Sequence, residues 1–362
     1  MNKPQGIVIT RTPFRISFFG GGSDLPHFFN QHRGAVIGAA IDKYVYVTLN
    51  SLDRFFEKRI RLSYSKLENV SEPEELEHSI VRSILQSHPC IDKDSFLDIH
   101  TFADLPASSG VGSSSSFTVG MLNALYALHG AYRTPEFLAK EAIQIEREKL
   151  QQAGGWQDQV FAAFGGFNKI VFANNNFTVE PICLSMEKKQ AIEAACMMFF
   201  IGGLRSSAEV QQRAFGTPAK EQNKRLETLC QQVEEAFHIL ASTSYRTDEM
   251  IHHLGKLLHQ AWEIKRSLSS HISNSHIDVL YNKALEAGAL GGKLCGAGGG
   301  GFLLMIAPPE KRANIAHALA DYKLLDIRFQ EEGSKVIYSK SCDQQPFIPP
   351  ILSPVLTRGA VA

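Results

Sequence analysis

The order of apolar and polar residues predicts strands in the first part of this chain. Residues 7–19 and 36–49 are rich in β-branched and aromatic side chains, and we expect Pro13 to interrupt the first run. In the glycine turn that follows, Ser23 or Asp24 is a candidate cap for a short helix. Shorter elements are expected as a helix at 73–87 and as strands at 60–64 and 96–101.

Helical periodicity dominates much of the second half. Thr134 and Pro135 have the cap-plus-proline signature of a helix start. Residues 165–168 and 174–176 are expected as hairpin turns between short strands. The later expected elements are a strand at 197–201, helices from about 208 to 285, a strand at 302–307, a helix at 308–322 and strands at 326–329 and 335–338. A chain of 362 residues is long enough for two domains.

Residues 104–120 carry the strongest local signal. Pro106 begins the stretch, the spaced glycines Gly110 and Gly112 follow, and four serines lead into an apolar helical pattern. The apolar positions of that helix are Phe117, Met121, Leu122, Leu125, Tyr126 and Leu128. Glycines let the backbone approach an anion, and the first N–H groups of a helix, which the serines can cap, have no intrahelical partner. The stretch predicts a phosphate-binding loop, and the alternatives are a Ser/Gly linker or an ordinary capped helix.

Composition and charge exclude several classes of protein. Because 37 Lys and Arg residues balance 37 Asp and Glu residues, no net field favours nucleic acid or an anionic membrane as a partner. The longest apolar run, near 194–204, is too short to span a bilayer, and the first residues lack an apolar targeting segment. Six scattered cysteines without a C-x-x-C pair indicate reduced thiols. We therefore expect a cytoplasmic protein.

A third glycine-rich stretch, at 296–301, matches G-x-G-x-x-G. A dinucleotide-binding fingerprint needs a strand before it and a helix after it. Here a helix is expected before the glycines and a strand after them, which argues against dinucleotide binding. The sequence also lacks the Walker pattern G-x-x-x-x-G-K-[ST]. Three glycine loops at element boundaries are more than turns alone require.

In order along the chain, three motifs resemble those of the GHMP kinases, which include galactokinase, homoserine kinase, mevalonate kinase and phosphomevalonate kinase. They are Arg-Thr-Pro-Phe-Arg-Ile-Ser-Phe-Phe-Gly-Gly-Gly-Ser-Asp from residue 11, Pro-Ala-Ser-Ser-Gly-Val-Gly-Ser-Ser-Ser from residue 106 and Cys-Gly-Ala-Gly-Gly-Gly-Gly from residue 295. The segments at 19–26 and 154–159 are most similar to a subgroup that contains D-glycero-D-manno-heptose 7-phosphate kinases and the kinase part of fucokinases. Gly21 and Gly22 stand where galactokinases carry glutamate and histidine.

The resemblance implies an α+β, two-domain GHMP kinase fold. Its N-terminal half is expected to be ribosomal S5 domain 2-like and its C-terminal half ferredoxin-like. We expect an ATP-binding domain at 1–182, a second domain at 183–342 and a proline-rich tail at 343–362. ATP and a small sugar phosphate are expected to meet in the cleft between the two halves, and a homodimer is compatible with the sequence.

By the same resemblance, the loop from Gly110 to Ser116 wraps the ATP phosphates with its backbone N–H groups. The expected contacts are Pro106, Ser109, Gly110, Val111, Gly112, Ser113, Ser114, Ser115 and Ser116. Ser114 and Glu146 are the expected Mg²⁺ ligands, with Ser113 and Glu148 as alternatives. From the residues alone, the alternative for Glu146 is a solvated residue of a helix.

The resemblance further implies that catalysis rests on Asp158 as the general base for the acceptor hydroxyl and on Arg15 as the residue that orients it. The alternative for Asp158 is a helix N-cap. The candidate substrate-binding residues are Gly21, Gly22, Ser23, Asp24, Arg205 and Gly298. Asp24 can bind vicinal hydroxyls, and Arg205 can bind an acceptor phosphate or be a simple surface residue.

The third glycine loop is expected to support the phosphate loop. The resemblance favours phosphorylation of the anomeric hydroxyl of heptose 7-phosphate. A kinase for L-fucose or galactose and a non-catalytic sensor of sugar or ATP are the alternatives.

Overall fold

The computed structural model describes residues 6–52, 56–88, 96–203, 219–269, 272–296 and 298–341. Its strands are β1 Gly6–Phe19, β2 Gly34–Ser51, β3 Ile60–Ser63, β4 Leu67–Val70, β5 Leu97–Ala103, β6 Phe167–Ala173, β7 Asn176–Pro181, β8 Cys196–Gly202, β9 Gly291–Leu294, β10 Gly301–Ile306, β11 Lys323–Leu325 and β12 Lys335–Ser341. Its α-helices are α1 Pro26–Phe29, α2 Ser79–Ser87, α3 Ser113–Leu128, α4 Pro135–Ile143, α5 Gln157–Phe164, α6 Met186–Ala195, α7 Ala219–Ala241, α8 Thr247–Ser267, α9 Ser275–Glu286 and α10 Arg312–Ala318. The predicted tail at 343–362 and Arg205 lie outside the described residues.

Around the long strands β1 and β2, eight strands of the described chain form one sheet. Its order is β12-β1-β2-β5-β3-β4, and β6 pairs with both β2 and β7. The first part of β2 is continuously buried, and its later positions alternate between buried and half-buried. The first part pairs with β6 and the later part with β5. The sheet therefore changes from two covered faces to one covered face along β2, as its change of sequence pattern indicates.

Pro13 does not interrupt β1, so this prediction was wrong. The register with β2 shifts between Pro13 and Phe14, whose partners are Tyr44 and Ile41. A proline has no N–H to give to a ladder, and a bulge is a place where that loss is tolerated. The chain therefore continues as one strand through Arg15, which carries this residue towards the phosphate loop.

A second sheet of four strands has the order β11-β8-β10-β9 in the described chain. The helix α8 packs on β9, and α7 packs on both α8 and β2, so these helices join the two sheets. The strand β9 was not predicted, and the third glycine loop lies between β9 and β10 rather than after a helix. No described helix follows this loop directly, so the dinucleotide-binding reading still fails.

The last strand of the chain's described part returns to the first sheet. β12 pairs antiparallel with β1, from Gly6 opposite Ser341 to Arg11 opposite Lys335. A strand from the expected second domain is therefore an edge of the first sheet. The boundary near residue 182 stays a prediction.

Several local predictions need correction. The segment expected as one helix at 73–87 is a 3₁₀ turn, Pro73–Glu75, and the separate helix α2. Neither Ser23 nor Asp24 caps α1, because its N-cap is Leu25. Residues 165–168 are no hairpin turn: they end α5 and begin β6, whereas Asn174 and Asn175, with φ of +51° and +54°, do form the β6–β7 turn. The strand expected at 326–329 is instead β11, three residues earlier along the chain.

None of the helices in the described ranges is long and apolar enough to cross a membrane. The expected helix after the phosphate loop is present as α3, and its six predicted apolar positions are all buried. The helix start at Thr134 is also confirmed, since its side chain accepts a hydrogen bond from Phe137 N.

Candidate active site

The loop that joins β5 to α3 ends on two glycines in the left-handed region. Gly110 has φ of +84° and Gly112 has φ of +80°, a region that costs other residues about 1–2 kcal/mol. Gly112 is the N-cap of α3, and no described side chain caps this helix. The prediction that the serines cap it was therefore wrong, and Ser113 Oγ instead accepts a hydrogen bond of 3.3 Å from Ser108 N. The first N–H groups of α3 remain available to an anion.

The phosphate loop and the third glycine loop pack directly on each other. A Cβ on Gly110 would lie 2.5 Å from Cys295 O, and a Cβ on Gly296 would lie 2.6 Å from Gly110 Cα. A Cβ on Gly301 would lie 2.4 Å from Ser109 O. Only glycine permits backbone contact this close. The third loop therefore supports the phosphate loop, as its sequence suggested.

Arg15 connects the phosphate loop to Asp158. Its Nε donates to Asp158 Oδ1 at 2.8 Å, its Nη2 lies 2.7 Å from the same oxygen, and its Nη1 donates to Gly110 O at 2.7 Å. The Arg15 side chain is 5% exposed and that of Asp158 is 24% exposed. Among the described residues, Asp158 Oδ2 has no hydrogen-bond donor, which leaves it free to accept a proton.

Asp158 is the second residue of α5 and not its N-cap, which is Trp156. Arg147 shapes the turn before this helix, because its Nε donates to Gly155 O at 3.1 Å and its Nη1 donates to Gln152 O at 3.4 Å. Sequence reasoning missed Arg147. Its position just before a glycine turn was the available signal.

Asp24 joins the first glycine turn to α5. Its Oδ1 accepts from Gly22 N at 2.9 Å, and its Oδ2 accepts from Gln157 N at 3.3 Å. A Cβ on Gly155 would lie 1.8 Å from Asp24 Oδ2, so the glycine there is required for this approach. The residue is 3% exposed and lies beside the predicted base, although its carboxylate already has two backbone donors.

Glu146 lies in a π-helical segment, Gln144–Lys149, beneath α3. Its carboxylate accepts hydrogen bonds from Ser115 Oγ at 2.9 Å, Thr118 Oγ1 at 2.5 Å and Gln159 Nε2 at 2.5 Å. The side chain is 1% exposed, and burial raises the pKa of its carboxyl group. Glu146 is therefore not a solvated helix residue. The alternative ligand Glu148 is exposed.

The two expected Mg²⁺ ligands do not form a cation site in this arrangement. Ser114 is exposed, whereas both oxygens of Glu146 face protein donors. Among the described residues, no group of three or more His, Cys, Asp or Glu side chains could hold a metal ion. The side chains as arranged therefore do not fit Mg²⁺, and the metal role of Ser114 and Glu146 stays a prediction.

The other predicted phosphate-loop residues divide into two sets. Ser115 and Ser116 are buried, and their hydroxyls serve the protein interior, with Ser116 Oγ donating to Pro13 O at 2.8 Å. The backbone N–H group of Ser116 already donates to Gly112 O at 2.9 Å, so of these two residues only Ser115 can still offer its N–H group to a phosphate. Ser109 is also buried and donates to Pro106 O at 2.7 Å, while Val111 O accepts from Arg15 N at 3.0 Å.

On the acceptor side, the predicted residues are only partly brought together. Ser23 is buried and its Oγ donates to Ala35 O at 2.8 Å, so its hydroxyl fixes the glycine turn to β2. Gly298 packs closely on the backbone of Ile272, because a Cβ added to Gly298 would lie 2.7 Å from Ile272 Cα. Gly21 and Gly22 lie in the first glycine turn. Lys265 of α8 was not predicted, yet its amine donates to Gly296 O at 3.2 Å. Because Lys265 is far in the sequence from the first glycine turn, no local pattern indicates its place in the site.

Comparison with known proteins finds both GHMP kinase domains in this chain. The family profile for the GHMP kinases N terminal domain matches residues 78–166, and the profile for the GHMP kinases C terminal domain matches residues 250–323. The chain is 29% identical over 342 residues to D-glycero-alpha-D-manno-heptose 7-phosphate kinase of Campylobacter jejuni, covering 90% of this chain and 97% of that protein. It is 26% identical to the bifunctional fucokinase/GDP-fucose pyrophosphorylase of Arabidopsis thaliana, spanning 87% of this chain and 31% of that protein.

Among solved structures, a D-glycero-D-manno-heptose 1-phosphate kinase from Bacteroides thetaiotaomicron superposes with a TM-score of 0.72. It is 22% identical to this chain, and the superposition covers 93% of this chain and 100% of that structure. The α+β fold expected from the sequence is thereby confirmed. With both domain profiles matched, the order of its three glycine loops and its similarity to sugar kinases over nearly its full length, the chain carries the N-terminal and C-terminal domains of the GHMP kinases, which are phosphotransferases that use ATP and an alcohol acceptor.

Proposed function

We propose that this chain is an ATP-dependent kinase that phosphorylates the anomeric hydroxyl of D-glycero-D-manno-heptose 7-phosphate, giving the 1,7-bisphosphate. The observation that carries the proposal is the arrangement of Arg15, which holds Asp158 with one side of its guanidinium group and the Gly110 carbonyl with the other. A base for the acceptor and a loop for the ATP phosphates are thus fixed to one buried residue. The alternative of a non-catalytic sensor does not require this connection.

In the proposed reaction, the acceptor oxygen attacks the γ-phosphorus of ATP and the bond to the β,γ-bridging oxygen breaks, so that ADP leaves. The acceptor proton passes to Asp158 Oδ2. A carboxylate is too weak a base to ionise an alcohol beforehand, so the proton moves late, as the new bond forms. Such a group contributes about 10²–10⁴-fold to the rate.

The remaining work is positioning and charge neutralisation, which dominate phosphoryl transfer. The uncapped N-terminus of α3 offers N–H groups to the phosphates. The guanidinium group of Arg15 offsets negative charge that develops beside Asp158. ATP is expected to bring Mg²⁺, which would offset charge on its phosphates; no step is assigned here to a protein-bound ion.

The choice of heptose 7-phosphate is supported by the Campylobacter jejuni relative, which matches this chain along 97% of its own length. The relative with fucokinase activity is matched over 31% of its length. The glycines at 21 and 22, where galactokinases carry larger polar residues, also favour a bulkier acceptor than galactose.

The test is ADP release with heptose 7-phosphate, mannose 6-phosphate, L-fucose, galactose and mevalonate as separate acceptors, at fixed ATP and Mg²⁺. We expect turnover with heptose 7-phosphate, and ³¹P and ¹³C NMR of the product should place the new phosphate on the anomeric carbon. The Asp158→Asn variant should lose about 10²–10⁴-fold in kcat while still binding ATP.

The matched control is Asp321→Asn, which changes an exposed carboxylate in the turn between α10 and β11. It should retain wild-type turnover. Turnover confined to L-fucose or galactose would overturn the proposed substrate. ATP binding without turnover on any acceptor would overturn the kinase proposal and support a sensor.

A further inference from the structure

Beside Gly21 lies an unfilled space that several polar groups face. A Cβ placed on Gly21 would lie 3.4 Å from Lys265 Nζ, 3.7 Å from Ser17 Oγ and 3.9 Å from Gln157 Nε2. Contacts of that length are ordinary van der Waals distances, so the space holds a group of about one carbon before anything must move. The polar tips of three elements, β1, α5 and α8, therefore converge on one point.

Two of these side chains carry polar atoms that the protein does not satisfy. Within the ranges that the structure describes, Ser17 Oγ and Gln157 Oε1 are buried and have no hydrogen-bond partner. Buried polar atoms are nearly always paired, so such atoms beside an unfilled space indicate a missing partner. One hydroxyl group placed at this point can accept from the Lys265 amine or from Gln157 Nε2 and donate to Ser17 Oγ.

The charges around the space select a neutral hydroxyl rather than a phosphate. Lys265 Nζ contacts Gly296 O, and burial lowers the pKa of its amine while the carboxylate of Asp24 opposes that change. Asp158 is the residue next to Gln157 and also acts on the Lys265 charge. The carboxylates of Asp24 and Asp158 lie near the space together with the cations Lys265 and Arg15, and a neutral hydroxyl leaves these opposite charges in balance.

Resting on the proposed function, we infer that Lys265, Ser17 and Gln157 form the subsite for an acceptor-sugar hydroxyl next to the one that is phosphorylated. Lys265 holds the sugar in register with Asp158 and is a positioning residue. Gly21 keeps the subsite open, since any side chain there would occupy the hydroxyl's place. Lys265 and Gly21 also line a narrow cavity with Trp262 and Lys293, which lies alongside the subsite.

The test compares Lys265→Met, Gly21→Ala and the control Lys256→Met, whose lysine is exposed on the same helix. Acceptor and ATP binding are measured separately by calorimetry, and kcat and KM by ADP release. We expect Lys265→Met and Gly21→Ala each to weaken acceptor binding about 10- to 100-fold with ATP affinity within about twofold of wild type. The loss should appear mainly in the acceptor KM. Lys256→Met should match wild type.

Wild-type acceptor binding in both folded variants would overturn the inference, as would a loss of ATP affinity equal to the loss of acceptor affinity. Thermal melting and circular dichroism check that the variants fold, and Gly21→Ala is the safer of the two because its new methyl group meets no atom closer than 3.4 Å. If the wild type binds another sugar of the panel instead of heptose 7-phosphate, the proposed substrate fails and the subsite is judged on that sugar. If the wild type binds no sugar, both proposals fail.

Discussion

Replacing Gly110 by alanine should damage the phosphate loop through one methyl group. The new Cβ would lie 2.5 Å from the carbonyl oxygen of Cys295 and 2.8 Å from its carbon. Both neighbours are backbone atoms of the third glycine loop, so they cannot rotate away as a side chain can. The φ of +84° adds strain, because this region is unfavourable for alanine.

The magnitude follows from these two terms. The left-handed conformation costs alanine about 1–2 kcal/mol, and the lower entropy of the unfolded alanine chain returns about 0.4–1 kcal/mol. Overpacking against backbone adds about 1–3 kcal/mol. If the loop relieves the overlap by moving, the same 1–3 kcal/mol appears as a loss of ATP affinity of about 5- to 150-fold.

The chain offers a matched control at Gly202. Its φ of +74° is similar, but a Cβ there meets no described atom within 4 Å. Gly202→Ala therefore carries the conformational strain without the overlap. Urea unfolding should show Gly110→Ala to be less stable than Gly202→Ala by about 1–3 kcal/mol, or ATP titration should show the corresponding loss of affinity. Equal stability and equal ATP affinity in the two variants would refute the role assigned to the contact between the loops.

Two further substitutions probe the base and its surroundings. Arg15→Lys keeps a positive charge but loses at least one of the contacts to Asp158 and Gly110, so kcat should fall about 10- to 100-fold in steady-state assays. The control is Arg11→Lys, whose arginine lies on the same strand with its side chain 30% exposed, and it should behave as wild type. Glu146→Gln removes a buried carboxyl group whose pKa is raised in the folded protein. The stability that this group contributes to the wild type is therefore fully present below about pH 4 and is lost as the pH rises through the pKa of the folded state. In urea unfolding from pH 4 to pH 8, the wild type should therefore lose stability relative to Glu146→Gln; a constant difference contradicts this, and a higher Mg²⁺ requirement of the variant would support the predicted metal role.

Local signals account for the parts of the fold that could be predicted. The burial pattern of α3 follows from residues within one helix, and the glycine loops are visible because a positive φ or a close backbone contact demands glycine. The continuation of β1 through Pro13 could not be predicted from the sequence, because the bulge that accommodates the proline depends on the partner strand β2. In the same way, β12 joins β1 from the far end of the described chain.

The residues of the candidate site also divide into those that a sequence signal indicates and those that only the fold brings together. Arg15 and Asp158, separated by 143 positions, could be paired from the sequence only through the family resemblance, which the hydrogen bond between them matches. Lys265 carried no such signal, since a lysine in an amphipathic helix is ordinarily a surface residue. Glu146 shows the reverse case: its spacing from Asp158 suggested an ion ligand, and the structure describes a carboxylate held by three side chains.

The distribution of charge explains why ATP and the acceptor can share one cleft. Arg15 is paired with Asp158, and Lys265 lies within the field of Asp24. Burial and the charge of Lys265 lower the pKa of Lys293 well below its usual range. Arg15 and Lys265 are therefore offset by the two carboxylates, Asp158 and Asp24, which reduces the net positive side-chain charge offered to phosphates. In the proposed function, attraction of the ATP phosphates then falls to the first backbone N–H groups of α3, which lack an intrahelical partner.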